Sequence, residues 1–249
     1  MKTALVAGLS MIAFASTSAV GAFDIEEQRN LSQSAAGVDR VEIDAGAGFL
    51  VVKGTNTESI EVVANLQVDE DKYEFEVKKK GNKVVIVADA NSGSGSWFNW
   101  GDDSPKIDLT ITVPKRLAMS IKDGSGSITI ESIEGSVDID DGSGSITALN
   151  LGNSLSIEDG SGSISIERLT GDLLIDDGSG SITVNEVGGT VKVDDGSGGL
   201  SLTDIAGHVT IDDGSGGITL KDLKDGVTII DAGSGGLKMS NVKGKVTTR

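Results

Sequence analysis

Asp123-Gly124-Ser125-Gly126-Ser127-Ile128-Thr129-Ile130-Glu131-Ser132-Ile133-Glu134-Gly135-Ser136-Val137-Asp138-Ile139-Asp140 decides the fold of this chain, because Asp141 starts the same pattern again. Asp123, Asp141, Asp159, Asp177, Asp195, Asp213 and Asp231 lie 18 residues apart, and six of the seven open a DGSGS or DGSGG string. With each repeat numbered from its Asp, columns 6, 8, 11, 15 and 17 are apolar almost throughout. They are Ile128, Ile130, Ile133, Val137 and Ile139 in the first repeat and Ile164, Ile166, Leu169, Leu173 and Ile175 in the third. The column pairs 6/8 and 15/17 have the period of two of half-buried strands, so each repeat reads as two short strands. Asp-Gly-Ser-Gly makes one turn between them, and the glycine of column 13 (Gly135, Gly171, Gly189, Gly207) makes the other.

Five apolar side chains cannot form a core within one such unit, so identical units must stack, each coil pairing with the next. The expected fold is all-β: a single-stranded β-solenoid (β-helix) of about seven 18-residue coils over residues 119–249. At about 4.8 Å per paired strand the rod is on the order of 34 Å long. Period two, β-branched enrichment and recurrent glycine all oppose helix.

Outward from the repeat, residues 23–118 are less regular and read as an N-terminal β region capping the solenoid. Val41-Glu42-Ile43-Asp44-Ala45-Gly46-Ala47-Gly48-Phe49-Leu50-Val51 has the form of a degenerate coil. Further strands are expected at 59–66, at 73–79 and 83–88 as a hairpin about Lys80-Gly81-Asn82, and at 106–113 before Pro114. Residues 1–22 have a secretory leader's form: Lys2, an apolar stretch from Ala4 to Val20, then Val20-Gly21-Ala22 before Phe23. Cleavage there predicts an exported protein, periplasmic or extracellular, with no membrane span left. There is no cysteine and therefore no disulfide framework.

The formal charge of −17 argues against nucleic acid, whose binding depends on Lys and Arg releasing counterions. It favours solubility and attraction for cations. Thirty-five glycines with two prolines point to turns at a fixed period rather than to a linker. The last coil gains Ala232 in its turn and carries Lys238, Lys243, Lys245 and Arg249. Lysine on a terminal strand opposes end-to-end pairing, which predicts monomers.

The segment Ile111-Thr112-Val113-Pro114, leading through Ile121 into Asp123-Gly124-Ser125-Gly126-Ser127-Ile128 and then coil after coil, resembles a bacterial family of exported β-strand-repeat proteins known as "putative adhesins". The likeness covers Val38 to Val246. It implies a β-helical fold on an exported protein of a domain-of-unknown-function group, with no agreed catalytic residues to carry over. This chain departs from the family in its very regular DGSGS spacing.

Three features carry candidate chemistry. The first is acidic: column 1 is Asp in all seven coils, and column 18 adds Asp140, Glu158, Asp176, Asp194 and Asp212. Column 1 reads as turn-capping Asp, accepting amide hydrogens two residues on, with column 18 facing solvent. The alternative is a row of Ca²⁺ sites built from Asp140 and Asp141, Asp176 and Asp177, Asp194 and Asp195, and Asp212 and Asp213, resting on ligand type alone. The calcium-binding nonapeptide order is absent, and no cofactor is required.

The second feature is an outward row of hydroxyls (Ser127 and Thr129, Ser145 and Thr147, Ser163 and Ser165, Ser181 and Thr183). It suits a solvated strand face as well as a glycan- or ice-contacting one. The third is the loop from Ser92 to Pro105, which holds both tryptophans. Trp97, Phe98 and Trp100 are the preferred contact residues for an envelope or extracellular protein or glycan; the other reading has the tryptophans plugging an end of the solenoid.

Catalysis finds little support. His208, the single histidine, sits at an outward turn position, and no nucleophile with a base or zinc-binding set is evident. The sequence therefore points to an adhesin-like, surface-presenting binding or structural module without catalysis. A Ca²⁺-binding repeat protein and a polysaccharide-active β-helix enzyme are the alternatives.

Overall fold

The computed structural model describes residues 10–14, 23–90 and 104–248. Among these every regular element is a strand: β1 (Ser10–Phe14), β2 (Ile25–Ser34), β3 (Arg40–Thr55), β4 (Ser59–Val68), β5 (Glu74–Lys80), β6 (Lys83–Asp89), β7 (Lys106–Pro114) and β8 (Ala118–Glu131) come first. A short and a longer strand then alternate. These are β9 (Val137–Asp141), β10 (Gly144–Leu151), β11 (Leu155–Asp159), β12 (Gly162–Leu169), β13 (Leu173–Asp177), β14 (Gly180–Val187), β15 (Val191–Asp195), β16 (Gly198–Ile205), β17 (Val209–Asp213), β18 (Gly216–Leu223), β19 (Val227–Asp231), β20 (Leu237–Ser240) and β21 (Val246–Thr248).

Every strand from β9 on pairs in parallel with the strand one coil away. Ile128, Ile146, Ile164, Ile182, Leu200 and Ile218 form one in-register row. Val137, Leu155, Leu173, Val191, Val209 and Val227 form another. These rows are buried, and they run into one continuous aliphatic core. The fold is thus a β-solenoid of about seven turns.

β3 is the first coil. It pairs in parallel with β8 over almost its whole length, Val41 opposite Met119 and Leu50 opposite Ile128. On its other side the coil pattern stops. The first half of β3 pairs in parallel with β6 and the second half with β7. Beyond them β5, β4 and β2 add antiparallel strands. Both faces of the solenoid are thereby extended toward the N-terminus by strands that need no further coil. Arg29 on β2 lies 5.4 Å from the Tyr73 ring centre and 5.9 Å from that of Phe75, and donates from Nη2 to the Tyr73 hydroxyl at 2.8 Å. β1 falls inside the stretch read as a leader and pairs antiparallel with β2, Ser10 opposite Ser32.

Two features of the backbone fix the coil. The apolar columns 6, 8 and 11 do not share one parity, so one residue between them must leave the extended conformation. Column 10 does so: Ser132, Asn150, Arg168, Glu186, Asp204, Asp222 and Asn241 all have φ between 51° and 62°. This left-handed corner returns column 11 to the core. Asn and Asp tolerate it; Arg168 and Glu186 sit there at a cost of about 1–2 kcal/mol each.

The second feature is the column 4 glycine. Gly162 has φ of 148°, and a Cβ built on it would lie 1.5 Å from the carbonyl oxygen of Gly144 in the coil before. Column 5 is different, since a Cβ at Gly199 meets nothing within 4 Å.

Two outcomes test this account. Gly162→Ala should destabilise by roughly 3 kcal/mol or more in urea unfolding, whereas Gly199→Ala should stay within about 0.5 kcal/mol of the parent. Glu186→Gly should be stabilising by about 0.5–1 kcal/mol in the same measurement, since relief of the left-handed strain exceeds the glycine's entropy cost.

Candidate functional site

Column 1 continues the inward alternation of columns 15 and 17. Val137 and Ile139 point into the core, and so does Asp141. Six carboxylates are buried this way, with exposures from 7% at Asp123 down to 0% at Asp213. They stack in register, coil upon coil, from Asp123 to Asp213. The row ends there because the pairing shifts between Ile211 and Asp212: Asp231 lies opposite Asp212 and is exposed.

Each inward Asp from Asp141 to Asp195 fixes one oxygen as turn chemistry predicts. Oδ1 accepts the backbone N–H two residues on, from Ser143 at 3.3 Å, Ser161 at 3.1 Å, Ser179 at 3.1 Å and Ser197 at 3.0 Å. The second oxygen, Oδ2, is buried without a hydrogen-bond partner in all six residues of the row. An unpaired buried polar atom is costly, and six in one line require a common physical cause.

Burial, and after it the charge of Asp141, pushes the Asp123 carboxyl up to about 7. Burial and then Asp159 push Asp141 up to about 6, and burial with Asp177 and Asp213 does the same to Asp195. Asp159, Asp177 and Asp213 are raised as well, burial being the largest cause in each. Two ionised carboxylates at the strand spacing of about 4.8 Å repel by roughly 3 kcal/mol at an effective dielectric of 20. Asp172 is held below the ordinary range by the Thr190 amide at 2.7 Å and its hydroxyl at 2.9 Å.

Column 18 lies on the other side of the same strands. Asp140, Glu158, Asp176 and Asp194 are exposed and Asp212 is half-buried. Lys122 pairs with Asp140 at 3.0 Å at the first coil. The pairs considered for Ca²⁺ are therefore split: Asp140, Asp176, Asp194 and Asp212 face out, while Asp141, Asp177, Asp195 and Asp213 face in. Among the described residues no three His, Asp or Glu side chains gather to hold a metal ion.

The hydroxyls of column 5, Ser127, Ser145, Ser163 and Ser181, form an exposed row, with the Ser and Thr of column 7 beside it. His208 joins two coils, its Nδ1 3.0 Å from the Asp225 carbonyl and its Nε2 3.0 Å from the Thr228 hydroxyl.

Trp97, Phe98 and Trp100 lie outside the described residues. Ser104, Pro105 and Lys106 line a shallow groove together with Phe49, Asp108 and Ser127. Phe49, 38% exposed, is the functional candidate that the sequence reading passed over. Its signal was present, because it stands opposite Ser127 and so occupies the outward column 5 of the first coil. The Asp108 carboxylate accepts its backbone N–H at 3.0 Å and fixes the edge of the groove.

The chain is similar in architecture to solved structures of low identity. One is a "putative cell adhesion protein" from Clostridium sporogenes, 12% identical, with 90% of this chain and 100% of that one covered and a TM-score of 0.44. Another is a "putative lipid binding protein" from Parabacteroides distasonis, 15% identical, covering 89% and 96% with a TM-score of 0.42. A third is a "putative adhesin" from Bacteroides fragilis, 11% identical, covering 92% and 100% with a TM-score of 0.28. No curated protein matches the chain. The family model described as Toastrack DUF4097 matches residues 38–247, and the chain belongs to that family.

Proposed function

We propose that this chain is an exported, non-catalytic binding module that meets its partner on the outside of the solenoid, in the periplasm or beyond the cell. The observation that carries this reading is the filled interior: rows of Ile, Leu and Val occupy the inside of the coils as far as Ile229. Contact with a partner then falls to the outward rows and the groove beside Phe49. Straight rows of hydroxyls and carboxylates offer many weak, repeated contacts, which suits an extended partner such as a glycan or an unfolded peptide better than a small metabolite.

Phe49 supplies the apolar element such a surface needs. It is an exposed aromatic on a strand, 38% open, and the groove beside it is lined by Ser104 and Pro105, which follow Trp97, Phe98 and Trp100 in the sequence. Aromatic side chains bury much area at low entropy cost and commonly dominate interfaces. The leader-like residues 1–22 support export.

The test is binding of the purified chain to a glycan array and to intact bacterial cells. Phe49→Ser, which copies the residue opposite it in the next coil, should keep the circular dichroism spectrum and weaken binding about tenfold, as should Trp97→Ala with Trp100→Ala. Unchanged binding in both variants would remove the aromatic groove from the reading.

A further inference from the structure

We infer that the buried aspartate row is a proton-sharing ladder, in which carboxylic acids donate to the unpartnered oxygens of neighbouring carboxylates, so that the solenoid tightens in acid. Each Oδ2 from Asp123 to Asp213 lacks a partner, and the in-register pairing sets the aspartate of one coil directly upon that of the next. One proton, taken up from solvent by an ionised carboxylate, turns one such oxygen into a donor. A carboxylate oxygen of the neighbouring coil accepts it, so an orphaned atom is satisfied while one charge is removed.

A cation fits this row less well. Calcium asks for six to eight oxygens, and the interior around the row otherwise supplies Ile, Leu, Val and Ala side chains. The column 1 carbonyls are already taken, since Gly142 N–H donates to the Asp123 carbonyl at 2.9 Å, Gly160 to Asp141 at 3.0 Å and Gly178 to Asp159 at 2.9 Å. A proton needs only the two oxygens present.

The groups acting on the row are all acidic. They are its own members, the adjoining outward carboxylates Asp140, Asp176 and Asp194, and Asp231 beyond the last member. On the far side of Asp123, β3 presents Ala45 in register, and Lys122 is engaged by Asp140 on the outer face. No Lys, Arg or His figures among the causes that shift these six carboxyls.

The sign of the pH dependence follows. An unfolded Asp titrates near 3.9, whereas Asp123 in the fold is raised to about 7 and Asp141 and Asp195 to about 6. Between those values the folded chain holds more protons than the unfolded one. The ladder's contribution to stability is complete below about pH 4 and is lost as pH rises toward 7. General self-repulsion of an acidic chain runs in the same direction, so variants must separate the two.

Thermal unfolding of the full chain at pH 8 and pH 5 is the experiment, with Asp177→Asn inside the row and Glu158→Gln on the exposed outer column, each removing the same charge. The parent should melt about 10 °C higher at pH 5. Asp177→Asn should raise the pH 8 midpoint and shrink the difference, because an amide can donate along the row without a proton. Glu158→Gln should leave the difference intact. Carboxyl carbon NMR of the parent supplies a second readout that needs no variant to fold: several Asp carboxyls should remain protonated at pH 5.5. Full ionisation there overturns the ladder, as does an Asp177→Asn slope equal to the parent's. A pH 8 midpoint raised by millimolar Ca²⁺ in the parent and not in Asp177→Asn would assign the row to cations instead.

Discussion

Everything in this molecule depends on how closely one coil lies upon the next. At column 4 the backbone of each coil passes so near its predecessor that the carbonyl oxygen occupies the place of a side chain, 1.5 Å from where a Cβ on Gly162, Gly180 or Gly216 would stand. Only glycine allows that approach, and the approach sets the register of the parallel ladders on either side. With the register fixed, residues of the regular coils meet their counterparts 18 positions away, and the fold becomes a set of columns in which a residue type stacks upon itself.

Self-stacking has opposite consequences for different chemistry. An isoleucine column gains contacts with each added coil, and a serine column remains solvated. A carboxylate column facing outward is tolerated because water and salt screen it, as at Glu158, Asp176 and Asp194. The inward carboxylate column has neither relief. It persists because the same Asp caps the Gly-Ser turn through Oδ1, so the residue that holds the turn also places its second oxygen in the core. Turn capping and core burial thus compete at one atom pair, and a change of protonation state reconciles them without a change of residue.

How much of this was legible depended on whether a feature repeats. The 18-residue period and the alternation of columns 6 and 8 and of 15 and 17 announce strands, stacking and the aliphatic interior, because periodicity needs no knowledge of distant contacts. Burial of column 1 was legible too, since 15, 17 and the next Asp share one parity; the ordinary turn role of Asp-Gly obscured it. The left-handed corner left only an indirect trace, the parity change between columns 8 and 11, because Ser132, Arg168 and Glu186 are not residues that advertise positive φ. The N-terminal strands were expected as segments, but their partners were not. β3 lies between β8 on one side and β6 with β7 on the other, and such pairing across 40 to 80 positions leaves no local pattern to read. The neighbourhood of Phe49 was hidden for the same reason, Asp108 and Ser127 being brought to it by pairing alone.

The two ends of the rod show why the pattern fails where it does. An interior coil is constrained by neighbours above and below, so a substitution must suit both. The terminal coil answers to one neighbour only. There the pairing shifts beside Ile230, Ala232 enlarges the turn, Asp231 leaves the buried row, and Leu237, Met239 and Val246 occupy core columns while remaining 36%, 42% and 43% exposed. Lys238, Lys243 and Lys245 accompany them, a distribution of charge that opposes the approach of an identical end. At the other end the constraint is met by a change of topology, as β2, β4 and β5 close the sheets with antiparallel strands that ask for no further coil. Departures from the repeat therefore concentrate where stacking on both sides ceases to enforce it.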